Sequence, residues 1–155
     1  MSKKRKVLII LVSIALAVTL GFIWINSCLS QETSASESGG VYETIKPTLD
    51  AVFGEDKVSH NTVRKSAHFF EFFMLGLEIS ALYYLVHGVK KEKIAEVISA
   101  GLFVAVIDES LQILSNRGPM VIDVLIDYSG YLLAVGLTCL GIFILHKIRK
   151  RKAEK

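Results

Sequence analysis

The 155-residue sequence has two cysteines, and no Cys-x-x-Cys spacing is present, so neither a disulfide framework nor a compact zinc motif is expected. It also lacks internal repeats, Gly-rich phosphate loops and recognisable nucleic-acid modules, and nucleic acid is not an expected partner. With 52% hydrophobic residues the chain is too apolar for an ordinary soluble domain.

The apolar residues fall in four blocks, at about 7–25, 66–87, 94–114 and 121–145. Each is near the roughly 20 residues with which a helix crosses about 30 Å of hydrocarbon. Backbone groups in lipid must bond internally, which makes helices of all four. The fold class expected is all-α: a polytopic membrane protein, a single domain over 1–155 with a loop at 26–65 and a tail at 146–155.

Thirteen of the eighteen lysines and arginines lie before the first block, between the second and third, or after the fourth. Only Lys46, Lys57, Arg64, Lys65 and Arg117 remain for the other side. The positive-inside rule then puts both termini in the cytoplasm and the 26–65 loop outside. On this topology Cys28 and Cys139 sit near opposite faces and cannot pair. A lipoprotein signal peptide ending at Cys28 is disfavoured, because the apolar run exceeds the roughly 7–15 residues of a signal core and Ile25-Asn26-Ser27 fits a lipid-attachment box poorly.

In the outer loop, Gln31–Gly40 is rich in Ser, Glu and Gly and reads as mobile. Val41, Tyr42, Ile45, Leu49, Val52 and Phe53 then recur at helical spacing, which predicts a short amphipathic segment on the outer leaflet, broken or kinked at Pro47 and ended by Gly54.

The chemistry lies in ionisable side chains inside the spans, where each costs about 2.5–3.5 kcal/mol at the bilayer centre. His68, Glu71 and Glu78 are on the second block, Asp108, Glu109 and Gln112 on the third, and Asp123 and Asp127 on the fourth. At 1.5 Å per residue, Glu71, Asp108, Glu109 and Asp127 share a layer roughly 8–9 Å below the outer surface. His68, Gln112 and Asp123 lie nearer the mouth, and Arg64, Lys65 and Arg117 form its rim. The spacings Lys65/His68, His68/Glu71, Asp108/Gln112 and Asp123/Asp127 keep these groups on common helix faces, predicting a polar pocket open to the outer leaflet.

Within that pocket His68, Glu71, Asp108 and Glu109 are candidates for acid/base work. Lys65, Gln112, Arg117, Asp123 and Asp127 are candidate binding groups, with Arg117 and Lys65 suited to a phosphate. No metal motif or cofactor signature is visible, although carboxylates and an imidazole leave a divalent cation open. The alternative is that the polar groups only glue helices together. Glu78, deeper by one or two turns, has no assigned role, and Gly130, Ala134 and Gly136 read as packing positions.

The sequence resembles the VanZ-like family of bacterial membrane proteins from the first block to the fourth. Ser30-Gln31 looks like its Ser-Gln element, and Lys65-x-x-His68-Phe69-x-Glu71-Phe72, followed by Leu75-Gly76, resembles its lysine-histidine motif. Asp108-Glu109-x-x-Gln112 resembles its Asp-Glu-x-x-Gln motif, and Arg117, Asp123 and Gly130 fit further positions. Asp127 stands where the family often has asparagine, and Phe72 where tyrosine is common. The resemblance implies a bacterial cell-envelope protein, multi-pass in the cytoplasmic membrane, of a family whose founding member is associated with teicoplanin resistance; it implies no defined reaction. The expectation is recognition of an anionic lipid or lipid-linked envelope precursor at the outer leaflet. A hydrolase or transferase acting on such lipids is the first alternative. An ion- or proton-coupled transporter, which would need an oligomer, is the second.

Overall fold

Three serines start helices in this chain. Ser2, Ser30 and Ser59 each take extended backbone and accept the N–H of the residue three further on, at 3.2–3.3 Å. The computed structural model describes residues 1–88, 93–115, 118 and 120–153. Its elements are α1 (Lys3–Cys28), α2 (Gln31–Phe53), α3 (His60–His87), α4 (Ile94–Leu114) and α5 (Val121–Ala153). No strand occurs among the described residues.

Helices α1, α3, α4 and α5 are long and apolar enough to cross a membrane. Leu8, Ile14, Phe22, Phe103, Leu125 and Phe143 lie exposed along them. The buried positions instead include Ser27, Asp108, Glu109, Gln112 and Asp127 beside Ile23, Phe72, Leu75 and Tyr131. Such a distribution suits hydrocarbon outside and polar bonding within. The chain is an all-α polytopic membrane protein.

The contacts fix the helix directions. Arg5, at the start of α1, donates from Nε to the carbonyl of Leu85 at 2.6 Å, placing a cation on the C-terminal end of α3. At the far end of α1 the Ser27 carbonyl accepts from Ser115 Oγ, just beyond α4, at 2.9 Å. So α1 runs with α4 and against α3. Helix α5 runs alongside α3 in the same sense, because Gly130 meets Phe69 and, further along both helices, Ala134 meets Gly76. Both chain ends therefore lie at one end of the bundle. Ser27, Ser115 and Met120 mark the other, here called the polar end.

Helix α2 corrects the expectation of a mobile stretch and a short segment. Residues 31–40 are helical and continue unbroken through Pro47. The Ser30 cap starts the helix, and His60 Nε2 to Ser38 Oγ (2.9 Å) and Tyr42 Oη donating to the Val58 carbonyl (3.0 Å) clamp it to the start of α3. Pro47 removes only one N–H, on a helix whose carbonyls can reach water. Lys46 bonds Asp56 and Asp50, which hold its ammonium charged well above the ordinary lysine range. Gly54, at φ 96°, ends the helix.

Helices α3 and α5 form the most extensive pairing in the bundle. A Cβ at Gly130 would sit 2.2 Å from the Phe69 carbonyl oxygen, and one at Gly76 would sit 2.6 Å from that of Tyr131. The backbones meet because neither position carries a side chain. Gly136, expected to pack, has no atom within 4 Å of a built Cβ. Gly130→Ala should therefore destabilise the protein by about 1–3 kcal/mol through overpacking, while Gly136→Ala should leave it unchanged. Unfolding of both variants in detergent checks this contrast.

Candidate functional site

The site is built from four helices at the polar end. Asp108 of α4 is fully buried, and both its oxygens are used. Oδ1 accepts the Ser27 hydroxyl of α1, and Oδ2 accepts Gln112 Nε2 at 3.1 Å from one turn further along α4. Ser27 Oγ also sits 3.0 Å from the Ile23 carbonyl, a second acceptor for the same hydroxyl. Charge-assisted bonds of this kind are worth about 1.5–3 kcal/mol each.

Asp127 of α5 and His68 of α3 complete the floor. One ligand-capable atom from each of His68, Asp108 and Asp127 lies within 4.8 Å of the others. Asp127 is 1% exposed, and neither of its carboxylate oxygens has a hydrogen-bond partner among the described residues. Glu71, one turn from His68, lies within electrostatic reach of both Asp108 and Asp127. Its Oε2 is buried and has no hydrogen-bond partner among the described residues.

Above the floor, Lys65 Nζ donates to Asp123 Oδ1 at 2.6 Å, and Arg64 Nη2 lies 3.7 Å from Asp123 Oδ2. These three half-buried groups form a rim. Rim and floor enclose a cavity of about 10 Å³, bounded by His68, Gln112 and Asp127 below and by Arg64, Lys65 and Asp123 above. That is room for one water.

The fold thus brings together Lys65, His68, Gln112, Asp123 and Asp127, with Asp108 bonded to Gln112. Glu109 is turned aside: its Oε1 accepts the Met120 backbone N–H at 2.7 Å, tying α4 to the start of α5. Arg117 lies outside the described residues. Glu78 bonds away from the cluster, accepting from Thr19 Oγ1 of α1 at 2.9 Å. Its position links α1 to α3.

Two features escape sequence reasoning. The sequence places His68, Asp108 and Asp127 in one pocket, but no linear spacing reveals that side-chain atoms from three different helices come within 4.8 Å of one another. Ser27 also escapes notice in the sequence, although Leu16, Leu20, Ile23 and Ser27 form one helical stripe in which only the last is polar.

Comparison with known protein families matches residues 8–144 to the family described as VanZ/LLP1. The chain belongs to this family. The VanZ/LLP1 match includes the core of every membrane helix and all the site residues from Ser27 to Asp127. Neither the curated proteins nor the solved structures contain a match.

Removing the α1 donor tests the Asp108 network. Ser27→Ala should destabilise the VanZ/LLP1 fold by about 1.5–3 kcal/mol, the range for a hydrogen bond to a charged group. Ser110→Ala removes an exposed hydroxyl bonded to the Val106 carbonyl of its own helix, and should be near neutral. Unfolding of the two variants in the same detergent separates these outcomes.

Proposed function

We propose that this VanZ/LLP1 protein holds the anionic head group of a lipid or lipid-linked envelope precursor at the outer leaflet of a bacterial cytoplasmic membrane. By doing so it alters the access of glycopeptides such as teicoplanin. The observation that carries this reading is the pairing of Arg64 and Lys65 on Asp123 at the mouth of the bundle. A phosphate offers at least the charge of the Asp123 carboxylate with more acceptor oxygens, so it competes for both cations. In the sequence Arg117 stands between α4 and α5 and is a third candidate cation.

Orientation follows from the clustering of basic residues at the end that holds both termini. Helix α2 supports it as well. Val41, Val52 and Phe53 are exposed on a helix at the polar end, a surface suited to resting on the leaflet where the head group would arrive. The cavity of about 10 Å³ is too small to swallow a head group. Binding therefore takes place at the rim, with Lys65 and Arg64 turning from Asp123 to the ligand.

A second reading, catalysis on the same lipid, is favoured by one specific observation. Half-buried His68 and buried Asp108 and Asp127 converge directly beneath the rim, where groups for proton transfer or activation of water would have to stand. Mass spectrometry of lipids incubated with the protein would show a mass change that Asp108→Asn and Asp127→Asn abolish.

Retention of a labelled polyprenyl phosphate by purified protein decides the binding reading. Lys65→Ala and Arg117→Ala should each lower retention about tenfold, the equivalent of one charge-assisted contact. Unchanged retention in both would overturn it. In cells, wild-type protein should raise tolerance to teicoplanin, whereas Asp108→Asn with Glu109→Gln, at matched membrane levels, should not.

A further inference from the structure

We infer that His68, Asp108 and Asp127 form a divalent-cation site, best suited to Zn²⁺ or Mn²⁺, in the floor beneath the rim. The inference stands apart from lipid binding, since it uses neither Arg64 nor Lys65.

Geometry is the first argument. Ligand atoms of three side chains on three helices lie within 4.8 Å of one another. An ion bound at about 2.0–2.2 Å in tetrahedral geometry sets its donors about 3.3–3.6 Å apart, so the three side chains close in by about an ångström as the ion binds. One imidazole and two carboxylates form a mixed nitrogen and oxygen set, which matches these ions better than the all-oxygen shells of Mg²⁺ or Ca²⁺.

The second argument is independent of that spacing. Asp127 is buried to 1% exposure, its atoms point into the same group, and neither oxygen accepts a hydrogen bond among the described residues. Four acids, Asp108, Glu109, Asp123 and Glu71, lie within its electrostatic reach, against the His68 imidazole in the same group and Arg64 and Lys65, which pair with Asp123. Like charges at such depth oppose one another, and a bound dication reverses the sign of the interaction.

Third, the site has the support that metal ligands usually receive. Ser27 and Gln112 orient Asp108 by hydrogen bonds to its two oxygens, each of which keeps a second lone pair for an ion. The adjoining cavity of about 10 Å³ has room for one water, which would supply a fourth, exchangeable ligand to a bound ion.

The test uses the full chain in detergent, stripped with EDTA and titrated with MnCl₂ alone, with bound ion read from loss of the free Mn²⁺ electron paramagnetic resonance signal. One Mn²⁺ per chain is expected, displaced by Zn²⁺, with nitrogen couplings from the imidazole. Asp127→Asn and His68→Ala should each weaken binding at least tenfold, and Glu78→Gln should leave it unchanged. Should either site variant fold poorly, the wild-type melting temperature gives a second readout. It should rise by about 5–10 °C at a hundredfold excess of ion over its dissociation constant. Absence of saturable binding and of a melting shift would overturn the site. Binding equally strong in Asp127→Asn and His68→Ala would overturn it too, as an adventitious ion on surface acids. Loss of lipid retention in Lys65→Ala with Mn²⁺ binding intact would separate the fate of this site from that of the rim.

Discussion

A carboxylate placed in hydrocarbon has to find donors, a counter-charge or a proton, and the arrangement of this bundle follows from that demand. Asp108 lies at the centre. Its two oxygens draw a hydroxyl from α1 and an amide from its own helix, while α3 and α5 bring His68 and Asp127 to the same spot. An isolated α4 would carry Asp108, Glu109 and Gln112 into lipid, at several kcal/mol for the charges alone. Association removes that cost, so the polar floor is itself a reason for the helices to assemble.

Apolar packing then determines how closely they assemble. In lipid there is no gain from hiding leucine, and large apolar residues accordingly cover the outside. The interior depends on shape instead. The bare backbones at Gly76 and Gly130 let α3 and α5 touch. Tyr131 fills the space toward α4 and donates to the Val97 carbonyl at 2.5 Å. These contacts sit within one or two turns of Asp127, so the approach of α3 and α5 is also what carries His68 to its neighbours.

The sequence made the four spans legible because hydropathy over some 20 residues reports directly on the cost of insertion. The shared depth of Asp108 and Asp127 was legible for a similar reason, as helical rise converts residue number to distance. Helix α2 was not. Its Ser, Glu and Gly content lacks a periodic apolar face over residues 31–40, and its order comes from contacts to Val58 and His60 that only the fold brings near. The separate fates of Asp108 and Glu109 were hidden too. Adjacent residues on a helix point about 100° apart, and whether the second faces the cluster or the Met120 amide depends on where α5 begins.

The rim and the floor use the same residue types at different depths, and depth decides what each can do. Asp123 and Lys65 keep 14% and 23% of their side chains exposed. Water can follow either group when the pair separates, so exchanging a carboxylate for an incoming phosphate leaves no charge stranded. Asp108 and Asp127, at 0% and 1%, have no such route. A partner lost there leaves a charge in a medium that cannot solvate it. Exchangeable recognition therefore belongs to the rim, whereas the floor is suited to a tightly held ion or proton.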